Sequence, residues 1–307
     1  MDGIPEETVP AAKETKRGFI KEETKLKTGF IGAGKVGCSL GKLLAIRGAE
    51  VTGYYDRDTE AAADAAKFTD SACYETAEEL VRSCDVLFIT VPDGLISRVF
   101  EEVSRFDIRG KFICHCSGSL SSQEVFAGAK EAGAWAYSFH PLFAVSDRFE
   151  TYRELADAFF TLEGDPERIG DMSGFLAKAG LTFQIIDPAS KTKYHLAAVY
   201  ASNLMLALIG EAVQLLQECG FDEADARQAI TPLVMGNVQH ALNVGPAGAL
   251  TGPVERGDIT TLEKHLGVTD SEEDRELYRL LSRKLVRLAK EKHPERDYTE
   301  LEVFLKG

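Results

Sequence analysis

The chain has 307 residues, 44% hydrophobic and 27% charged, the composition of a globular protein long enough for about two domains. A net charge of −14 leaves no basic face, so nucleic acid is not expected as a partner. The six cysteines (Cys38, Cys73, Cys84, Cys114, Cys116 and Cys219) show no CxxC pairing, which reads as reduced thiols in a cytoplasmic protein.

In chain order, residues 1–24 are rich in Glu and Lys, lack the apolar stretch of a secretory signal, and are expected to be a flexible tail. From Leu26 onward, short apolar runs alternate with helical periodicity. Strands are predicted over 28–32, 50–56, 85–91, 111–116 and 135–140, and helices over 36–47 and 59–67. The unbroken apolar run at 85–91 suits a central parallel strand covered on both faces. Further strands at 159–163 and 182–186 flank a helix over 167–179 and extend the sheet. The expected fold class is α/β, a doubly wound Rossmann domain over 25–188. In the strand 111–116, alternation puts Cys114 and Cys116 on one face and His115 on the other, and one strand cannot close a tetrahedral site, so no metal is expected.

After Pro188 the strand signals stop. Helices are predicted over 189–219, 222–242 and 271–290, making an all-helical domain over 189–307. The first would be roughly 46 Å long at its helical rise. Its middle is apolar nearly all the way round, which predicts burial on all sides and packing against a second copy of the chain, hence a homodimer. The most apolar stretch, 196–210, is short for a bilayer and contains Ser202 and Asn203, so a core helix is expected and no membrane partner.

Gly32-Ala33-Gly34-Lys35-Val36-Gly37 follows the first predicted strand and opens the first predicted helix. In that context GxGxxG reads as a dinucleotide turn: Gly32 for the tight bend, Gly34 for approach of the pyrophosphate, and Gly37 for close packing of helix on strand. The helix start offers free N–H groups to the phosphates. Asp56 ends the second strand, where a carboxylate accepts hydrogen bonds from the adenosine ribose and disfavours a 2′-phosphate. Its neighbour Arg57 can stack on adenine or pair with such a phosphate. The cofactor is therefore read as NAD or NADP, with the carboxylate favouring NAD. Val91-Pro92-Asp93 and Ser117-Gly118-Ser119 each end a strand where ligands bind in open α/β sheets, and ordinary turns are the competing reading.

With these residues in view, the chain resembles bacterial Rossmann-like/DUF2520 proteins, relatives of the 6-phosphogluconate dehydrogenase-like group. That group includes prephenate dehydrogenases, pyrroline-5-carboxylate reductases and hydroxyisobutyrate dehydrogenases. The resemblance runs from about Lys27 to about Leu266 and rests on GAGKVG (32–37), VPD (91–93), HCSGSLSS (115–122), HPLFAVSD (140–147), KTKYHLAAVYASN (191–203) and LTGPVERGD (250–258). It implies an NAD(P)-binding dehydrogenase with a helical C-terminal dimerisation domain and carries no particular substrate.

Hydride transfer needs a group to manage the accompanying proton and another to polarise the carbonyl or imine. At about 100° per residue, Lys191, His195 and Ser202 share one helix face, with Asn203 farther round. In the hydroxyacid dehydrogenases a catalytic lysine starts the corresponding helix with an asparagine one turn on. Lys191 matches the lysine, and His195 stands in the asparagine's place. Lys191 or His195 is expected to protonate the substrate while the other orients it; a structural lysine and a core histidine are the competing reading. His140 precedes Pro141 at a strand end, as a similar His-Pro does in prephenate dehydrogenases, and a catalytic and a structural role stand level. Arg256 is placed to clamp a substrate carboxylate, and Asp258 to cap the following helix or to pair with Arg256. The reading is an NAD(P)-dependent oxidoreductase acting on a small C=O or C=N compound. Its rival is an NAD(P)H-binding sensor or scaffold that catalyses nothing.

Overall fold

The computed structural model describes residues 26–307, and the tail expected over 1–24 lies outside them. The chain divides into two units, the first ending at Ala201 and the second running from Ser202 to Gly307. In the first, strands β1 (Lys27–Ile31), β2 (Glu50–Tyr55), β3 (Ala72–Cys73), β4 (Val86–Ile89), β5 (Phe112–His115), β6 (Trp135–Pro141), β7 (Phe159–Gly164) and β8 (Thr182–Ile185) are interleaved with helices. These are α1 (Lys35–Ile46), α2 (Thr59–Thr69), α3 (Ala77–Ser83), α4 (Ile96–Val103), α5 (Ser122–Val125), α6 (Tyr152–Leu155), α7 (Ile169–Lys178) and α8 (Lys191–Ala201). The eight strands form one sheet in the order β3-β2-β1-β4-β5-β6-β7-β8.

β1 and β4 lie next to each other inside the sheet and are buried, β4 as the unbroken apolar run Val86–Ile89 and β1 from Thr28 to Ile31. Alternation sends Phe30, Phe88 and Cys114 to one face, under Leu40, Leu43 and Leu44 of α1 and Leu176 of α7. It sends Ile31, Leu87, Ile89 and Ile113 to the other, under Leu80 of α3 and Phe100 of α4. The chain order reverses between β1 and β4, so their carboxyl ends open the crevice where α/β sheets bind ligands.

The parallel sheet expected from the sequence is corrected at one place. β6 and β7 pair antiparallel, with Ser138 opposite Glu163 and His140 opposite Thr161, and β8 then runs parallel to β7. The connection from β6 to β7 holds only the four-residue α6, so no crossover helix carries the chain back to the other end of the sheet. The boundary between the units also falls one helix later than the expected 188/189. The physical reason is Lys191 at the start of α8, which is buried and bonded to Ser138 of β6.

The second unit is helical: α9 (Asn203–Glu218), α10 (Glu223–Val244), α11 (Pro246–Ala249), α12 (Pro253–Arg256), α13 (Ile259–Gly267), α14 (Glu272–Lys292) and α15 (Thr299–Phe304). Its core is small: Val254, Leu262, Val286, Ala289, Tyr298, Leu301 and Leu305. Glu255 knots it together, its carboxylate meeting His293 Nε2 at 2.5 Å while its carbonyl accepts from Tyr298 Oη at 2.7 Å.

The helix expected over 189–219 is interrupted. A 3₁₀ turn at Pro188–Ser190 leads into α8, and Ser202, with φ −125° and ψ −83°, separates α8 from α9. Ser202 Oγ donates to Asn203 Oδ1 at 3.0 Å, the local side-chain bonding that competes with a regular helix. The expected burial on all sides is not met among the described residues: no residue of α9 is buried, and Leu206 is 63% exposed. By length and composition alone, Pro188–Glu218 would suffice to cross a membrane.

Candidate active site

The glycine turn divides its labour among three residues. Gly32 has φ +103°, open to glycine, and a Cβ there would come within 2.7 Å of the Thr90 carbonyl. A Cβ on Gly37 would lie 2.2 Å from the Gly32 carbonyl, so α1 could not pack on the turn. A Cβ on Gly34, by contrast, would meet nothing within 4 Å. Gly34 precedes the first residue of α1 and no side chain caps that helix, so its first N–H groups face open space. Ala33 is buried, Lys35 exposed and Val36 half-buried. This is a cradle for an anion at a helix N-terminus, and it fits the pyrophosphate of a dinucleotide.

Asp56 closes one side of the turn: its carboxylate accepts from Ala33 N at 2.7 Å and from Asp58 N at 3.0 Å. It shares a cleft of about 220 Å³ with Gly32, Gly34, Arg57, Val91 and Arg98. Two guanidinium groups and two carboxylates, Asp56 and Glu102, therefore line the place where an adenosine end would sit, with Arg98 paired to Glu102 at 3.7 Å. Pro92 and Asp93 lead out of β4, and Asp93 reaches toward the next loop. Its carboxylate accepts from Ser117 Oγ at 2.7 Å and Ser119 Oγ at 3.3 Å. Ser117 N donates to His115 Nδ1 at 3.1 Å. Asp93 and Ser117 thus stitch the β4 and β5 loops together.

The chemistry gathers on one face of β5, β6 and β7. Parity along β6 points Ser138 and His140 to the same side, and pairing sets His115, Glu163 and Thr161 beside them. The result is a polar stripe at the carboxyl end of a sheet that is otherwise apolar. Across it lies α8, whose first turn presents Lys191, Tyr194 and His195 together. Lys191 is only 2% exposed and donates to Ser138 Oγ at 2.6 Å; that oxygen donates onward to the Ser117 carbonyl at 3.3 Å. Burial pulls the Lys191 ammonium down to about 8, against the partly compensating negative charge of Glu163. Glu163 accepts from Ser122 N at 2.6 Å and Ser122 Oγ at 2.9 Å, and burial raises its carboxyl.

His140 Nδ1 lies 2.8 Å from Tyr194 Oη, with the rings edge to face. Burial, then the charges of Lys191 and His195, pushes His140 down to about 3, so it is neutral at physiological pH. His115 is likewise driven to about 3, chiefly by burial. With Nδ1 accepting from Ser117, its Nε2 carries the proton and has no hydrogen-bond partner among the described residues. Gly118 is the hinge between the histidines: a Cβ there would sit 2.7 Å from both His140 Nε2 and His195 Cδ2.

The first unit therefore brings together Lys191, His195 and His140 with Ser117 and Gly118. Asn203 and Arg256 belong to the second unit. Asn203 lies beyond the break at Ser202 and is exposed; Arg256 ends α12. Asp258 caps α13, accepting from Thr261 N at 3.1 Å. Sequence reasoning passed over Tyr194, Ser138, Thr161 and Glu163. Tyr194 was findable, because it stands three residues after Lys191 on the same helical face. Thr161 and Glu163 were not, since only the antiparallel pairing of β6 with β7 brings them to the site.

Comparison with known proteins agrees with this architecture. Residues 12–141 match the Rossmann-like domain, and residues 158–285 match the domain of unknown function DUF2520. No curated protein matches significantly. Among solved structures, protein TM1727 from Thermotoga maritima is 25% identical, covering 87% of this chain and 100% of its own, with a TM-score of 0.67. BF3122 from Bacteroides fragilis, provisionally assigned as an NADP oxidoreductase, is 22% identical over 86% of this chain and 98% of its own, with a TM-score of 0.65. The reductive aminase from Aspergillus terreus, solved with NADPH and ethyl levulinate, is 16% identical over 92% of this chain and 99% of its own, with a TM-score of 0.63. The chain thus matches a Rossmann-like domain followed by a DUF2520 domain.

Proposed function

We propose that the protein is an NAD(P)-dependent oxidoreductase that moves a hydride to or from the carbon of a small C=O or C=N compound. The observation that carries this reading is a continuous run of contacts along the carboxyl ends of neighbouring strands. The open glycine turn touches Thr90, Asp93 bonds Ser117, Ser117 bonds Ser138, and Ser138 bonds Lys191. A phosphate cradle and a cluster of proton-handling side chains so share one edge of the sheet. The likeness in fold to an NADP oxidoreductase and to reductive aminases and imine reductases supports the same reading.

When bound, the nicotinamide cofactor supplies or accepts the hydride. The residues from Gly32 to Gly37 would hold its phosphates. Asp56 would face the adenosine ribose and favour NAD, while Arg57 and Arg98 would favour a 2′-phosphate. Lys191 is suited to polarise the substrate oxygen or nitrogen, since burial leaves its ammonium close to the working pH. We read the exposed apolar faces of α9 and α10, including Leu206 and Leu233, as the contact with a second copy of the chain.

Titration of the purified protein with NADH and NADPH by fluorescence, followed by a hydride-transfer screen of keto acids, imines and hydroxy acids, tests the proposal. Binding of at least one cofactor is expected, with turnover lost in Lys191→Met at unchanged cofactor affinity. Failure of both cofactors to bind would overturn the reading. Binding without turnover anywhere in the screen would favour the sensor instead.

A further inference from the structure

Lys191 polarises the substrate only while it carries its proton, and this inference rests on that reading of the site. We propose that Glu163 is a positioning residue for Lys191: its carboxylate is the buried counter-ion that keeps the side chain an ammonium and holds it against Ser138.

The sheet sets three side chains in a row beneath Lys191. Ser138 of β6 pairs with His115 of β5 on one side and with Glu163 of β7 on the other, so all three point to the same face. Residues directly opposite in an antiparallel pair have Cβ atoms only about 5 Å apart. Lys191 Nζ comes down on the middle of this row, donating to Ser138 Oγ at 2.6 Å. All four residues are buried, and Glu163 has no exposed surface at all.

Within the row, only Glu163 can carry a negative charge. Ser138 has none, and His115 is held neutral. The Glu163 carboxylate is fixed in place by the first residue of α5: Ser122 N donates to one oxygen at 2.6 Å and Ser122 Oγ to the other at 2.9 Å. Two donors aimed at the two oxygens suit the ionised form. The other groups around Lys191 cannot take its place. Burial pushes the Cys116 thiol up to about 12 and raises the Tyr194 phenol, so both stay protonated. His140 is neutral. Asp93 is exposed, and its carboxylate is taken up by Ser117 and Ser119.

Burial works against the Lys191 ammonium and Glu163 works for it. Burial is the larger effect, which leaves the lysine below its ordinary range but still able to hold a proton near neutral pH. Removing the carboxylate should lower its titration by about one further pH unit or more. Lys191 would then be a neutral amine under working conditions, with no charge to set against a developing oxygen or nitrogen anion. Glu163 touches no reacting atom and acts only through Lys191.

The first experiment needs neither substrate nor cofactor. In the full-length protein, a ¹³C NMR titration of the Lys191 side chain should show a midpoint lower by about one pH unit or more in Glu163→Gln than in the wild type. Glutamine keeps the size of the side chain and can still bond Ser122, so a merely structural Glu163 would leave the midpoint in place; an unchanged midpoint overturns the proposal. Should Glu163→Gln not fold, the wild type decides. Its Glu163 Cδ signal at neutral pH should be that of a carboxylate, and a protonated acid there would overturn the proposal equally. With a substrate from the hydride-transfer screen, the basic limb of kcat against pH should move down by the same shift. Glu163→Gln should then lose up to about tenfold in kcat above neutral pH and regain it on acidification. A loss equal at every pH would mean that Glu163 is structural. Failure of the wild type to bind either cofactor would instead overturn the oxidoreductase reading and leave the Lys191 titration standing.

Discussion

In the first unit, α1 closes Leu40, Leu43 and Leu44 away from water against the sheet, while in the second, α9 leaves Leu204, Leu206, Leu208 and Leu215 exposed. The two helices are made of the same kind of residue. What differs is the partner: a sheet face wide enough to cover one helix after another, against a helical core only seven residues strong. Apolar sequence therefore states a demand for burial without saying what meets it. The same contrast holds for polar groups. The first unit buries a lysine, a histidine and a glutamate, with His140 half-buried, around one stripe of the sheet. The charges of the second unit stay on its surface in pairs such as Arg227–Glu223 and Lys290–Glu302.

The contrast can be broken most directly at its apolar extremes. Phe88→Ala, in the centre of the sheet, should lower stability to urea by about 3–5 kcal/mol. Leu206→Ala should change the folding stability of the isolated chain by less than about 0.5 kcal/mol, yet weaken self-association measured by sedimentation. Equal losses at the two sites would erase the distinction between the units.

Lys191→Met should cost turnover at least about a hundredfold. The same change should stabilise the fold at neutral pH by up to about 3 kcal/mol, because it removes a buried ammonium. The sign follows from linkage. Lys191 sits at about 8 in the fold against an ordinary 10.5, so between those values the unfolded chain binds more protons and stability rises with pH. The advantage of Lys191→Met should therefore shrink as pH climbs from about 8 toward 10.5, as followed by urea midpoints. An advantage independent of pH would mean that Lys191 is not desolvated.

His115 gives the acid counterpart. Held at about 3 in the fold, it stays neutral while the unfolded chain protonates, so stability is lost as pH falls below about 6.5. At pH 5 this one group should cost about 2 kcal/mol, and His115→Gln should flatten the acid limb by that amount. The smallest effect is in the second unit. Asp258→Ala, which removes the cap of α13, should cost about 1 kcal/mol and leave cofactor binding untouched.

Much of the first unit was legible in residue order. Strand periodicity, the glycine turn, Asp56 at a strand end and the coincidence of Lys191 with His195 on one face are local patterns, and backbone geometry turns them directly into positions. A helix period places Tyr194 beside Lys191 just as surely. The sequence could not announce that the chain turns back after His140, because the direction of a strand depends on where its connection travels, and no residue in 142–158 encodes that alone. Nor could it announce the break at Ser202 within a run of helix-forming residues.

By itself, then, the sequence determined the periodic elements, the phosphate cradle and the residue types able to handle a proton, since each is a matter of spacing along the chain. Only the tertiary structure decided that Ser138, His140, Thr161 and Glu163 lie under α8, that Lys191 is sealed from water while Tyr194 is not, and that Gly118 brings two histidines together. Those outcomes depend on which strand pairs with which and on the solvent that packing excludes, and both are properties of contacts far apart in sequence.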